Sequence, residues 1–599
     1  MRKRLLVLLS ALIVGALLLS ACGGGETVVE TVIVEREGET VIETVVVEKE
    51  AEAGEMPVTL NWNLATEPPT LDPSLATDTT SVDVQENLFV GLTIFNPVTN
   101  EVEPYLATSW DVGENADGEQ TWTFYLRDDV PWVKYDPVTG ETVQEVDADG
   151  NPRFVNAHDV VYGAKRTVDP ATGSDYAYVT YVIKNAAAIN GGDEELTIDD
   201  LGVQAIDDYT VEFTLEYPAG YFDGISTMWI VKPQPAWAIE EWGDKWTEAG
   251  LIVTSGPYAL ASWIHGGEMQ LVKNPLWINA DDVQIEVVDM VMIVEASTAF
   301  ALYENNELDT TGVPLPEMDR VQADPVLSEE LLIAPDSCTY YYGFTNNKAP
   351  LDDVRVRRAF SQAIDRQSLS DNVLKGGQFP ATSFAPPGIF GAPAPGEVGL
   401  GYDADAAKAY LQEYLDEKGM TIDDFNAMDV VLMYNTSEGH ARIAAAIQQM
   451  WADTLGVTVR VENQEWAVYL DTIQNDTPLE DMPHIWRLGW CADYPDENNW
   501  VHEVFNAEAG ANRLRRVAGE FDDLTAAAAL ESDPAKRAEM YREAERILAE
   551  EETAYAPIYH YTIVNVTKPW LVRNYPVIGG NDFFNWTIDM DAKLAAQGQ

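Results

Sequence analysis

The chain of 599 residues is long enough to bury several hydrophobic cores, so a two-lobed body or three domains is expected. It carries 36 Lys and Arg residues against 100 Asp and Glu residues, a formal net charge of −64. This charge argues against nucleic acid as a partner, because phosphate binding depends on basic side chains. It is more typical of an acidic surface that keeps a protein soluble outside the cell.

The amino terminus has the pattern of an export signal followed by a lipid attachment site. Residues 2–4, Arg-Lys-Arg, precede an apolar run over 5–19 that is short for a membrane span but right for a signal peptide. Residues 19–22, Leu-Ser-Ala-Cys, resemble the lipobox of bacterial lipoproteins, which implies a signal peptide over 1–21 and lipid on Cys22. An ordinary secretory signal with an incidental cysteine is the alternative.

Residues 22–56 predict an acidic, low-complexity tether. Within this stretch, 26–35 is nearly repeated by 39–48, and neither copy has room for a core. Valines at helical spacing indicate a stripe along a helix, but the density of β-branched residues lowers helix propensity. The segment over 26–55 is therefore interpreted as a spacer, with partial helix and self-association both left open.

Strands and helices follow from about residue 57 onward. Residues 59–62 predict a strand, and alternation of apolar residues over 121–126 and 210–215 predicts two half-buried antiparallel strands. Apolar residues at helical spacing after Asp353 predict a core helix whose arginines face outward. Asp533 and Pro534 predict the start of an amphipathic helix. The mixture predicts an α/β body with several layers.

Signatures of enzymes and metal sites are missing from the sequence. The six histidines are far apart, without zinc-binding spacing, and neither a nucleophile elbow nor a phosphate loop is present. Residues 147–151 are similar to the start of a calcium loop but lack its later acidic ligands, which favours a plain turn. We expect no catalytic residue, no metal and no cofactor. A secreted hydrolase and a cell-surface sensor remain as alternatives from other classes.

The cysteine count predicts a disulfide. If Cys22 carries lipid, Cys338 and Cys491 remain, and two thiols outside the cytoplasm usually pair. A free, buried pair is the alternative. Residues 487–494 place Cys491 among a cation, a carboxylate and aromatic residues, and the chain holds 17 Trp and 26 Tyr. Aromatic side chains beside a buried charge are typical of a binding cleft.

From about Leu60 to Trp586 the chain resembles the dipeptide and oligopeptide-binding family (family 5) of bacterial ABC-transporter solute-binding lipoproteins. The stretches that carry this resemblance are Thr-Leu-Asp-Pro at 70–73, Leu-Ala-Thr-Ser-Trp at 106–110, Trp-Thr-Phe-Tyr-Leu-Arg at 122–127, Thr-Ser-Gly-Pro-Tyr at 254–258, Cys-Thr-Tyr-Tyr-Tyr at 338–342, Asp-Val-Arg-Val-Arg at 353–357, Tyr-Asn-Thr-Ser at 434–437, Asn-Gln-Glu-Trp at 463–466, and 487–494.

The resemblance implies a two-lobed periplasmic-binding-protein-like α/β fold (type II, cluster C) with three domains and a hinged cleft. Domain I would comprise 57–89, 237–337 and 563–599. Domain II would cover 90–236, with an insertion over 135–154 on its surface, and domain III would cover 338–562.

The same resemblance implies the ligand-binding residues. Asp493 matches the carboxylate that receives the α-ammonium group of a peptide, and the backbone of Arg487 and Gly489 matches the strand that pairs with the peptide main chain. Arg487 and His440 match members of a basic set that meets the peptide carboxylate. The remaining matches, at positions that line side-chain pockets or the cleft, are Tyr176, Tyr341, Trp466 and Trp490.

The sequence also departs from the family pattern. Ile473 stands where an arginine is expected, Leu374 (beside Lys375) where a lysine is expected, and Thr77 where a glutamate is usual. These differences leave the length of the ligand open, and an oligosaccharide is the alternative solute. The implied partners are a peptide ligand, the transmembrane subunits of an ABC permease and, through the lipid, the membrane. The implied state is a lipid-anchored monomer in the periplasm or at the cell surface.

Overall fold

The computed structural model describes residues 28–36, 39–47 and 56–598. The predicted signal peptide and Cys22 lie outside the described residues. Two strands of the predicted tether, Val28–Arg36 and Glu39–Val47, pair antiparallel with each other. Partial helix is therefore wrong for these two stretches, because β-branched side chains favour the extended backbone. Self-association of the tether stays a prediction.

From Val58 onward the chain forms one compact unit that contains three larger sheets. The first sheet has the predicted strand near residue 59 at its edge, paired in parallel with Val287–Val291. The other pairs in this sheet are antiparallel. Its strands, in spatial order, are Tyr258–Ile264, Glu268–Lys273, Val287–Val291 and Thr59–Asn63.

The second sheet is antiparallel throughout and confirms the two strands predicted from alternation. Trp122 and Phe124 are buried, and they lie opposite Phe213 and Val211 of the neighbouring strand. Its strands, in spatial order, are Val203–Asp207, Thr210–Thr214, Gln120–Leu126 and Ala107–Glu114.

The third sheet holds the longest strands and forms one side of the site. We call Leu331–Phe344 strand β1, Ile485–Cys491 strand β2 and Tyr555–Thr567 strand β3. Strand β1 lies between β2 and β3 and is antiparallel to both. The remaining strands of this sheet are Thr310–Gly312, Phe379–Pro380, Val431–Asn435 and Arg460–Gln464.

Cys338 of β1 lies directly opposite Cys491 of β2, and the two sulfurs form a disulfide with an S–S distance of 2.00 Å. The disulfide predicted from the cysteine count is thus confirmed, and the alternative of a free pair is wrong.

Helices cover these sheets, and small strand pairs complete the body. Helix α1, Thr79–Leu88, begins after Asp78. The other longer helices are Ala157–Val168, Ala236–Trp242, Ala296–Glu304, Val354–Gln362, Ala404–Lys418, Glu438–Leu455, Trp466–Thr472, Glu520–Ala529, Pro534–Arg546 and Met590–Gln597. The short helices are Ala186–Asn190, Phe222–Ile225, Met318–Ala323, Leu327–Glu330, Arg366–Leu369, Ile422–Asn426 and Glu503–Phe505. The small strand pairs are Thr93–Phe95 with Val102–Pro104, Val133–Asp136 with Glu141–Gln144, and Leu571–Val572 with Thr587–Ile588.

Both predicted helices are present, with one correction. Asp533 caps its helix by accepting hydrogen bonds from the amides of Ala535 and Lys536. In the helix Val354–Gln362 the apolar stripe is buried as expected, but Arg357 does not face outward. Arg357 is buried and donates hydrogen bonds to backbone carbonyls, 2.6 Å from that of Glu552. The helical pattern predicts which side of the helix a residue faces. It does not show that a chain segment 195 residues away supplies carbonyl acceptors on that side.

No helix in the described ranges combines the length and the hydropathy that a membrane span requires. Acidic residues 147–151 form a turn, in which Asp147 accepts hydrogen bonds from the amides of Asp149 and Asn151. The three-domain division stays a prediction.

Candidate functional site

A cavity of about 380 Å³ lies among α1, β2 and the loop that precedes the carboxy-terminal helix. Its lining combines apolar and aromatic side chains with charged groups, which is the composition of a small-molecule binding site. Of the eight predicted ligand-binding residues, six line this cavity: Tyr176, Trp466, Arg487, Gly489, Trp490 and Asp493.

Strand β2 presents one open edge to the cavity. On one side it pairs with β1 along its whole length. On the other side it pairs with Val431–Asn435 only at Ile485 and Trp486. Residues 487–493 all line the cavity, so the unpaired edge of the strand can take an extended ligand by adding main-chain hydrogen bonds.

Gly489 at this edge leaves room for its neighbours. A Cβ at this position would lie 3.2 Å from the hydroxyl of Tyr561 and 3.4 Å from a guanidinium nitrogen of Arg487. A larger side chain would push against both groups. The glycine therefore lets the guanidinium lie beside the strand edge.

Asp493 is held by hydrogen bonds to only one of its two carboxylate oxygens. Tyr176 donates to Oδ2 from its hydroxyl at 2.9 Å, and Asn499 donates to the same oxygen at 2.8 Å. Oδ1 has no hydrogen bond from any residue in the described part of the chain. Burial raises the pKa of Asp493 to about 6, against the lowering effect of the two hydrogen bonds. An ammonium group at Oδ1 would supply the missing positive partner.

Arg487 is a buried cation without an ion-pair partner. Its guanidinium donates to the side-chain oxygen of Asn435 at 3.1 Å and to the hydroxyl of Tyr561, and it lies 4.5 Å from the ring centre of Tyr340. Its Nε is buried and has no hydrogen-bond partner. Within the described chain it forms no ion pair with an Asp or Glu. The guanidinium is therefore available to a carboxylate from a ligand.

Arg513 is a second cation on the cavity, and no sequence pattern predicts it. Its Nε donates to Gln474 at 3.3 Å, and it too forms no ion pair with any described carboxylate. Arg513 lies in a loop without periodic pattern, after the helix Glu503–Phe505. Only the folding of that loop against the cavity identifies it.

Aromatic side chains close the cavity from several directions. The ring of Tyr176 stacks on Trp490 with centroids 6.2 Å apart, and it also contacts Trp229 at 5.3 Å. From another side, the indole of Trp466 donates to the carboxylate of Asp78 at 3.1 Å. The contacts of Tyr176 with Trp490 and of Trp466 with Asp78 join segments more than 300 residues apart, so the site exists only in the folded chain.

Tyr341 and His440 do not line the cavity. Tyr341 points into the core, where its ring contacts Phe384, Trp486 and Tyr555. His440 contacts the ring of Tyr340 at 5.5 Å. Burial, together with the nearby Arg487, lowers the pKa of His440 well below its ordinary value, so it is neutral at pH 7. Tyr341 lines a separate small pocket together with Trp490 and Arg513, and a role of Tyr341 and His440 in ligand binding stays a prediction.

The departures from the family pattern have structural counterparts. Ile473 and Leu374 are buried in apolar cores. Lys375 forms an ion pair with Asp319 and does not line the cavity, whereas Thr77 does. Among the described residues, the cations that line the cavity are therefore Arg487 and Arg513.

A mixed α/β fold, and a cavity that has an open strand edge and buried charges, are typical of a protein that binds a small solute. The family model "Bacterial extracellular solute-binding proteins, family 5 Middle" matches residues 101–512. The oligopeptide-binding protein OppA of Bacillus subtilis is 36% identical over 515 residues, which cover 84% of this chain and 88% of that protein. The chain belongs to the family 5 bacterial extracellular solute-binding proteins, which are binding proteins and not enzymes.

Solved structures of this family match the same body. The complex of Haemophilus influenzae OppA with RPPGFSPFR has a TM-score of 0.76 at 28% identity, covering 89% of this chain and 99% of that chain. An unliganded open form of the murein tripeptide-binding protein MppA has a TM-score of 0.58 at 30% identity, covering 89% and 97%. The fold of this chain therefore superposes more completely on the peptide complex than on the open form.

Proposed function

We propose that the protein is the extracytoplasmic binding component of an ABC importer, and that it encloses short peptides in this cavity for delivery to the permease. The observation that carries the proposal is the pair of incompletely neutralised charges beside one open strand edge, Asp493 and Arg487. A zwitterionic peptide offers an ammonium group, a carboxylate and an extended main chain. These three features are complementary to Asp493, to Arg487 or Arg513, and to β2.

An oligosaccharide, the alternative solute, fits the charges less well. It carries neither an ammonium group nor a carboxylate. Closure on a neutral sugar would leave Asp493 and Arg487 buried without ionic partners, which is costly in a low-dielectric site. The aromatic walls would suit either solute, so the charges decide between them.

We also propose a three-domain architecture and a lipid-anchored location outside the cytoplasm. Domain I comprises 57–89, 237–337 and 563–599, domain II covers 90–236, and domain III covers 338–562. The cavity lies where residues of all three meet, and hinge motion between the lobes admits and releases the ligand. Lipid on Cys22 and the tether over 22–56 hold a monomer at the outer face of the membrane, in the periplasm or at the cell surface, within reach of the permease.

Two measurements test the peptide assignment directly. Native mass spectrometry of the purified protein should show copurifying masses of short peptides. In calorimetry, tetra-alanine should bind at least about tenfold more tightly than its N-acetylated form, because acetylation removes the ammonium group. Binding of maltotetraose together with no binding of free-amine peptides would overturn the assignment in favour of sugar.

Arg487→Met is expected to remove most of the preference for a free carboxylate. A charge-assisted hydrogen bond contributes about 1.5–3 kcal/mol, so the ratio of affinities for carboxylate and C-amidated peptides should fall about tenfold or more. Calorimetry with peptides of two to five alanines identifies the peptide length at which the carboxylate reaches Arg487. Arg513→Met provides the comparison for other lengths, and the surface variant Arg460→Met is the control. An unchanged ratio at every length in both cavity variants would contradict this role.

Peptide affinity is expected to fall as the pH is lowered through about 6. The pKa of Asp493 is raised to about 6, so its carboxylate is ionised above that pH and becomes protonated below it. A neutral carboxyl group cannot balance the ammonium group, and with this pKa about one site in ten is ionised at pH 5. Wild-type affinity for tetra-alanine should therefore fall about tenfold from pH 7.5 to pH 5. In Asp493→Asn the affinity should fall less between pH 7.5 and pH 5, and the difference from wild type measures the contribution of Asp493. A pH dependence of affinity identical to that of wild type would contradict the assignment.

A further inference from the structure

The lining of the cavity carries more negative than positive charge. Two cations line it, Arg487 and Arg513. The carboxylates that line it are Asp78, Asp83, Glu86, Asp336, Asp493 and Asp582. A peptide with uncharged side chains has one ammonium group and one carboxylate, which would use Asp493 and one of the arginines. Most of the carboxylates would then be enclosed without a partner from the ligand.

Four of these carboxylates form one wall, which we call the α1 wall: Asp78, Asp83, Glu86 and Asp582. Asp78 caps α1, and Asp83 and Glu86 follow one turn apart on the same helix. The loop that carries Asp582 approaches α1 closely, because the amide of Asn581 donates to Asp83 at 3.1 Å. The wall therefore combines chain segments from opposite ends of the sequence.

Cations of the protein neutralise little of the α1 wall. Lys232 forms an ion pair with Glu86 at 2.7 Å and also donates to the carbonyl of Phe89. Arg573 donates to the side chain of Asn581 at 2.7 Å, and its guanidinium lies 4.1 Å from the ring centre of Trp586. Among the described residues, only Glu86 of this wall has a cation within ion-pair distance.

Asp78 is a buried carboxylate of this wall that forms no ion pair with any described cation. The residue is 7% exposed, and its Oδ1 accepts hydrogen bonds from the amides of Thr80 and Ser81 and from the indole of Trp466. Its Oδ2 is enclosed by protein atoms, and the side chain of Ser81 is a further hydrogen-bond partner of the carboxylate. Burial nevertheless raises the pKa of Asp78, because these hydrogen bonds supply no positive charge. Since Asp78 lines the cavity, a cation bound there would stabilise its charged form.

We propose that the α1 wall receives a second positive charge of the ligand, so that the preferred peptides carry a lysine or arginine side chain. This inference rests on the proposed function, and it names the substrate class of the same site. An extended peptide that pairs with β2 directs its side chains alternately to the two sides of the strand, so a long basic side chain can reach across the cavity to α1. The cation would reduce the repulsion among the carboxylates of the wall.

The other carboxylates of the wall are consistent with this role. Burial raises the pKa of Asp83 to about 6 and that of Asp582 to about 7. In both cases the neighbouring Glu86 adds to the upward shift. A bound cation would favour the ionised forms and offset this cost.

Calorimetry with a matched peptide series tests the inference. The series consists of tetra-alanine, its four single-lysine variants and the four corresponding norleucine variants, which keep the aliphatic chain and lack the ammonium group. At one position or more, the lysine peptide should bind wild type at least about tenfold more tightly than the norleucine peptide. Asp78→Asn should reduce that ratio by about fivefold or more, and because the ratio is taken within each variant, a general change in peptide affinity cancels.

Misfolding of a variant should not be mistaken for a lower preference for lysine peptides. Asparagine caps helices about as well as aspartate, so Asp78→Asn keeps the acceptor for α1. Asp403→Asn is the matched control, because Asp403 caps the helix Ala404–Lys418 in the same way but lies outside the cavity. Asp582→Asn is a second wall variant and should lower the same ratio.

The outcomes distinguish the inference about basic side chains from the proposed function on which it rests. If norleucine peptides bind as tightly as lysine peptides at all positions, the inference is wrong. Binding of tetra-alanine would still support the proposed function in that case. A lysine preference that survives in both Asp78→Asn and Asp582→Asn would overturn the assignment to the α1 wall. If no peptide of the series binds, the proposed function fails and the inference fails with it.

Discussion

Asp493→Asn is expected to weaken the binding of a free-amine peptide about 10-fold to 100-fold, because it removes a charge-assisted hydrogen bond of about 1.5–3 kcal/mol. The replacement keeps the size of the side chain and an acceptor for Tyr176 and Asn499. Burial disfavours the charged carboxylate in the empty cavity, so thermal stability near pH 7 should be unchanged or slightly higher. Calorimetry gives the affinity, and thermal unfolding gives the stability.

A matched comparison shows whether this loss is specific to Asp493. Asp336 lines the same cavity, and burial raises its pKa to about 6 as well. Asp336→Asn therefore removes equal charge from the cavity without removing the ammonium partner. A similar loss of affinity in both variants would mean that net charge matters and not a particular contact. Equal affinity of wild type and Asp493→Asn would remove Asp493 from the site.

Loss of the disulfide is expected to cause the largest change in stability. The bond joins residues 153 positions apart, and the chain-entropy model gives about 5 kcal/mol for closure of a loop of this size. Replacing Cys338 and Cys491 together by serine should therefore lower the free energy of unfolding by about 3–5 kcal/mol. Urea unfolding, with and without a reducing agent, measures the effect.

The disulfide also lies at the binding edge, so its removal should affect the ligand. Both cysteines line the cavity, and they hold the end of β2 against β1. Peptide affinity should fall in the double serine variant, and reduced wild type should behave in the same way. A free energy of unfolding within about 1 kcal/mol of wild type would contradict the structural role of this bond.

Much of the local structure follows from short-range patterns. Alternation of Trp122, Phe124 and Leu126 predicts a strand with one buried face, and the structure has it. Asp533 and Pro534 predict a helix start at the correct position, because capping depends on neighbouring residues. In the tether the pattern left partial helix open, and the structure has two paired strands there, which the β-branched valines favour.

The binding stretch was visible for a different reason. Residues 487–494 combine a cation, a cysteine and a carboxylate in one short segment, and their resemblance to a known family gave them roles. The place of the Tyr341 side chain does not follow from its stretch. It lies in the core because Phe384 and Tyr555 pack around it, and its role toward a ligand stays a prediction. Contacts of that kind depend on segments far away in the chain.

The family, the main strands and helices, the disulfide and the stretch that carries Asp493 and Arg487 could be predicted from the amino-acid sequence. Only in the folded chain does Arg513 join the cavity, and only there do Asp78, Asp83 and Asp582 form one charged wall beside it. Secondary structure depends on neighbours along the chain, whereas the charge of a cavity is the sum over segments that folding brings together.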